Sequence, residues 1–219
     1  MLEKLACNLG RSDEVPNVEL AEALCQSEDK SGIREIVSGL RGKNKAVAAD
    51  CIKVLYEIGA RKPELVAAHA DEFIALLSSK DNRLVWGGMT ALAAIAEEAP
   101  AAIYKQIDKV LSAFRGGSVI TVDNGVTVLA KLCKAKAVYR ARLFPLLLEH
   151  LRTCRAKEVP QHAERISICV DSHAGGKSEN GNGSGRNAEN FVDVLEKRKP
   201  ELTPAQATRA NRLLKKYTL

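Results

Sequence analysis

Apolar side chains recur at three- and four-residue spacing along most of this chain, the mark of helices that bury one face. The pattern predicts an irregular start over residues 1–16, with one turn around Leu2–Leu9. A helix opened by Pro16 then runs through Leu20 and Leu24 to Gln26, and a second covers Gly32–Leu40 with Ile33, Ile36, Val37 and Leu40 inward. From Asn44 to Gly59 the apolar stripe is Val47, Cys51, Val54, Leu55 and Ile58. Arg61-Lys62-Pro63 breaks it, and Phe73, Ile74, Leu76 and Leu77 mark the partner helix. Asp81 reads as an N-cap, its carboxylate accepting from amides that lack an intrahelical partner. The next helix carries Val85, Met89, Leu92 and Ile95 as far as Pro100, and its partner carries Ile103, Ile107, Val110, Leu111 and Phe114. Gly116-Gly117 end that helix and Ser118 caps a third copy with Val122, Val126, Leu129 and Leu132; Val138, Phe144, Leu147, Leu148 and Leu151 line the helix after it.

The copies are in register. Val47, Val85 and Val122 correspond, as do Cys51, Met89 and Val126, with offsets of 38 and then 37 residues. Paired amphipathic helices of this length cannot bury their apolar faces alone and must stack on neighbours. Residues 1–219 therefore read as a single α-solenoid domain: a capping hairpin over 1–41, three repeats over 42–154 and an atypical C-terminal repeat over 155–219. The last contains a helix over Glu158–Val170, a Gly-, Ser- and Asn-rich insertion over 172–187 that composition predicts to be flexible, a helix over Ala188–Lys199, and a final one begun by Thr203-Pro204. Gly87-Gly88 falls mid-helix, where each glycine costs about 0.8–1 kcal/mol relative to alanine. That placement predicts a close approach between helices, repeated at Gly125.

FIALLSS, then Asp81, then LVWGGMTALAAIAEEAP together resemble the HEAT-repeat pattern of the armadillo/HEAT-like solenoids, over roughly residues 43–155. Trp86 stands where that family tends to have Arg, and Asp50, Gly88 and Gly125 occupy one equivalent site with different characters. The resemblance implies an all-α fold, a right-handed α-α superhelix of antiparallel helix pairs. The Asp81-capped segment resembles a first helix and FIALLSS a second helix, and second helices are implied to line the concave surface.

Composition changes this picture in two ways. The formal charge of +6 is uneven: residues 1–41 carry −3, residues 42–116 carry +1 and residues 117–219 carry +8. Such a gradient orients an acidic partner. Six cysteines without a CxxC pair read as reduced core thiols, which, with no leader-like start, places the chain in the cytoplasm. No apolar run approaches the roughly 20 residues needed to cross a bilayer.

Chemistry is sparse. DSHAGGKS, residues 171–178, misses the first glycine of a phosphate-binding loop and lacks a following helix. His69, His150, His162 and His173 show no helical i, i+4 pairing and read as solvated, so no metal ligand is assigned. Glu97-Glu98 sits at a helix end and reads as solvated, and no Ser, Cys or Thr stands in a nucleophile elbow. No catalytic residue and no cofactor are expected. The remaining signal is basic charge on second helices, giving Lys105, Lys109, Arg140, Arg142 and Arg152 as partner-binding residues on a concave face. The expectation is a non-enzymatic scaffold for a protein or acidic peptide. The alternatives are sequence-independent binding of duplex nucleic acid through the basic C-terminal half, and a glycosylase acting on alkylated DNA bases with Trp86 as its stacking residue.

Overall fold

A computed structural model describes residues 1–171 and 183–218, with side chains described over 1–170 and 187–218. Its helices are α1 (Val15–Ser27), α2 (Lys30–Gly39), α3 (Lys45–Arg61), α4 (Ala70–Leu76), α5 (Asn82–Ile95), α6 (Pro100–Lys105), α7 (Ile107–Gly116), α8 (Val119–Ala135), α9 (Ala137–Thr153), α10 (Val159–Asp171), α11 (Gly183–Arg198) and α12 (Pro204–Tyr217). There is no strand among the described residues, and the fold is an all-α solenoid. No helix is long and apolar enough to cross a membrane. The chain forms two compact units, Met1–Val128 and Leu129–Leu219, divided within α8.

Caps set several boundaries. Asp29 accepts from the amides of Ser31 and Gly32 at 3.0 and 2.9 Å and starts α2. Asn44 does the same for α3 through Ala46 and Val47, and Asp81 for α5 through Arg83. Thr203 and Gln206 form a reciprocal capping box at the head of α12. Helix α1 ends on Glu28, held in the left-handed region at φ 50°.

In the first unit a long helix follows each shorter one. Two short helical turns, Pro63–Leu65 and Ala67–His69, precede α4 and then α5; likewise short α6 precedes α7 and then α8. The expected single helix over residues 100–116 is thus two, broken at Gln106. Helix α3 packs along α1 on one side and α5 on the other, with α2 against α3 and α4 against α5. Small residues allow this. A Cβ on Gly87 would lie 2.8 Å from the Ile52 side chain, and one on Gly88 would lie 2.9 Å from the backbone carbonyl oxygen of Phe73. Gly125 meets the Phe114 ring in the same way at 2.8 Å. The core of this unit includes Leu24, Ile36, Leu55, Phe73, Met89, Leu92 and Val110.

In the second unit α9 packs on α10 and α11, and α12 packs on both of those. Helix α9 runs through Pro145, which is exposed, because Leu143, Phe144, Leu147 and Leu148 beside it are buried. Val138, expected inward, is 65% exposed, and Tyr139 and Leu143 take the inward positions. Helix α11 begins at Gly183, five residues ahead of the expected Ala188. The insertion expected over 172–187 otherwise lies outside the described residues up to 182, as does the DSHAGGKS segment beyond Asp171.

Candidate functional site

The five basic residues expected on one surface have different fates. Lys105 and Lys109 are exposed at the junction of α6 and α7, where Lys109 donates to Oε1 of Gln106 at 2.9 Å. Arg142 is exposed, and Arg152 is exposed and pairs with Glu149 at 3.3 Å. Arg140 does not belong with them. It is 8% exposed, and its Nε and Nη2 donate to the carbonyl of Cys133 at 3.1 and 2.9 Å. Carbonyls in the last turn of a helix have no intrahelical donor, and a buried guanidinium in that place satisfies one and meets the negative helix end. Arg140 is a latch on α8.

Arg198 is a second latch, which the sequence did not reveal. It is 7% exposed and donates to the carbonyls of Leu151, Arg152 and Cys154, each at 2.7 Å, closing the C-terminal end of α9. Glu201 holds the same guanidinium through two contacts of 2.9 Å.

In the first unit α3 packs between α1 and α5, and polar and aromatic side chains of these three helices meet along one strip. At its centre the Tyr56 and Trp86 rings stand 6.0 Å apart, tilted by 49°, both half-buried. Lys53 reaches over the Tyr56 ring at 4.9 Å and bridges Glu14 at 2.9 Å and Glu57 at 2.8 Å. Arg83 joins Glu14 from the far side at 3.3 Å, and Arg61 ties Glu57 to Glu22. Burial opposes the charge on Lys53 and on Glu57, yet their mutual hydrogen bonds, with those from Glu14 and Arg61, prevail. Lys53 is held above the ordinary lysine range and Glu57 below the usual carboxylate range. Further along, Thr90 donates to the Trp86 carbonyl and accepts from Asn124 at 2.9 Å. The result is a strip of aromatic faces among fixed, balanced charges.

The six cysteines are free thiols, four buried and two half-buried. Two histidines, His150 and His162, depart from the solvated reading, and His173 lies outside the described residues. His162 is fully buried, and its Nδ1 shares a hydrogen bond of 2.9 Å with Nε2 of half-buried His150. With Cys154 they make a trio whose ligand atoms all lie within 4.8 Å of one another.

No family model and no curated protein matches the sequence. Solved structures do. A designed armadillo repeat protein in complex with the peptide (KR)4 superposes with a TM-score of 0.67 at 15% identity, covering 92% of this chain and 90% of that one. An engineered protein matches with a TM-score of 0.67 at 18% identity over 99% and 96% of the two chains. Kap121p, solved bound to Pho4p, matches with a TM-score of 0.62 at 15% identity over 97% of this chain and 22% of its own. The chain has an armadillo/HEAT-like repeat fold.

Proposed function

We propose that the chain is a non-enzymatic scaffold that holds a polypeptide partner along the α1/α3/α5 face of its first unit. The observation that supports this most is the paired Tyr56 and Trp86 at half exposure, framed by Lys53, Glu57, Glu14 and Arg83. Aromatic side chains offer large contact area with few rotatable bonds, and they dominate the binding energy of protein interfaces. Prearranged ion pairs beside them offer both signs of charge without reorganisation. A layer in which helices crowd side by side is also the natural inner, grooved layer of a stacked array. Structural neighbours solved with a peptide or a protein partner support a polypeptide as the ligand class.

A second reading keeps the acidic partner and places it at Lys105 and Lys109, which are exposed and pair with no carboxylate among the described residues. Affinity capture at low salt separates the two. Trp86→Ala combined with Tyr56→Ala is expected to lose the captured polypeptide, while Lys105→Glu with Lys109→Glu retains it. The reverse result supports the acidic-partner reading. Capture unchanged in both double variants, or a duplex-DNA mobility shift that collapses with salt in place of any captured polypeptide, overturns the proposal.

A further inference from the structure

His150, Cys154 and His162 converge from the end of α9 and the first half of α10, inside the second unit. Positions 150 and 154 are one helical turn apart, and Cys154 is the C-cap residue of α9, with its backbone amide donating to the carbonyl of His150 at 2.8 Å. Arg198 fixes that same cap from α11 by gripping the Cys154 carbonyl. The backbone presenting the thiol is therefore clamped from both sides. His162 faces it from α10 with no solvent exposure.

We propose that His150, Cys154 and His162 form a binding site for a zinc-class divalent transition metal that fastens α9 to α10. Two imidazole nitrogens and one thiolate are the donor set such ions prefer, and oxygen-seeking magnesium or calcium is not matched by it. Zinc–nitrogen and zinc–sulfur bonds of about 2.0–2.3 Å in a tetrahedron place donor atoms roughly 3.3–3.8 Å apart. The rings need only part slightly from 2.9 Å, and the Cys154 sulfur, which contacts the Leu151 carbonyl at 3.7 Å, already lies within 4.8 Å of both nitrogens.

Proton balance is simple. The metal takes lone pairs from His150 Nε2 and His162 Nδ1, so any proton between them resides on the outer nitrogens, and the Cys154 thiol releases its proton to solvent. Burial pushes this thiol above its ordinary range, with the Arg198 guanidinium opposing the rise and Glu158 adding to it. A divalent ion beside the sulfur supplies the larger opposing charge and leaves it deprotonated. Arg198 would repel that ion if bare, but Glu201 neutralises it through both carboxylate oxygens. The three donors leave one place of a tetrahedron to a further ligand, and Glu158, whose carboxylate also interacts with His162, adds negative charge beside the trio.

The test uses the full chain, stripped with a chelator and titrated with Zn2+ and with Co2+. The expected result is one ion per chain, and a Co2+ spectrum carrying tetrahedral d–d bands and a thiolate-to-metal charge-transfer band. Cys154→Ser removes the charge-transfer band and weakens binding by about 100-fold or more, and His150→Gln weakens it comparably. Cys133→Ser, a change at another buried thiol, leaves both unchanged. Zn2+ also slows alkylation of Cys154 by iodoacetamide while leaving that of Cys7 alone. His162→Gln abolishes binding too, but it alters a fully buried ring and can cost folding, so the half-buried ligands His150 and Cys154 carry the test. Absence of binding, an octahedral Co2+ spectrum without the sulfur band, or an affinity indifferent to Cys154→Ser overturns the proposal.

Discussion

The two units use one apolar pattern and give their buried cations different partners. In Met1–Val128 the charges form a lattice of ion pairs between neighbouring first helices: buried Lys53 with Glu14 and Glu57, and, nearer the surface, Arg61 with Glu22 and Lys62 with Glu28. In Leu129–Leu219 the buried cations meet backbone carbonyls instead. Arg140 and Arg198 are buried latches on helix ends, and His162 is buried against His150. Surface ion pairs contribute little individually, because water screens them and holding long side chains still costs entropy. A buried guanidinium with several carbonyl acceptors is different, since its removal strands those acceptors in a dry site. Buried cations thus occur in both units, and what differs is the partner: side-chain carboxylates that water still reaches for Lys53, backbone carbonyls at helix ends for Arg140 and Arg198.

Arg198→Ala should break that comparison most sharply. It leaves the carbonyls of Leu151, Arg152 and Cys154 without their donor and should destabilise the second unit by about 3–5 kcal/mol in urea unfolding. Lys53→Met, the corresponding change in the first unit, should cost only about 1–2 kcal/mol. Equal losses from the two would sink the contrast.

Packing in the first unit supplies the next effect. Gly88→Ala drives a methyl into the Phe73 carbonyl and should cost about 1–3 kcal/mol despite the better helix propensity of alanine. Gly87→Ala meets the Ile52 side chain rather than backbone, and should cost less in the same urea titration.

The lattice should also show in the acid limb of stability. Glu57 is held below its unfolded pKa of about 4.3, so it binds its proton less readily when folded. Its stabilisation is fully present above that value and is lost as pH falls through the lower folded pKa. Glu57→Gln should flatten this acid loss, and an unchanged acid limb would show that the lattice contributes nothing. The smallest effect belongs to Glu28→Gly. It relieves a left-handed backbone but gives up the pair with Lys62 at 2.5 Å, and a slight rise in Tm is expected.

Much of the first unit is legible in the sequence because its signals are local. Asp81 followed by an apolar stripe marks a helix start, and in the second unit Thr203-Pro204 marks another. Mid-helix glycines have few uses besides close packing, and Gly87, Gly88 and Gly125 each face a neighbour with no room for a methyl. The break at Gln106 has no proline or glycine to announce it, so two helices read as one. The candidate site is less legible. Trp86 stands out in the sequence, but its pairing with Tyr56 depends on the stacking of α3 on α5. Arg140 sits among exposed basic residues in the sequence and differs from them only in which way its helix turns it. His150 and His162 lie 12 residues apart on different helices, so no linear spacing connects them.

By itself the sequence determined an all-α stacked array, its main caps and its tight helix crossings, because periodicity, capping and the lack of a Cβ act within a few residues. Only the tertiary structure decided which cations face water, which close helix ends, and which histidines meet. Those outcomes depend on the rotation and spacing of neighbouring helices, where a shift of one side-chain position exchanges solvent for a buried partner.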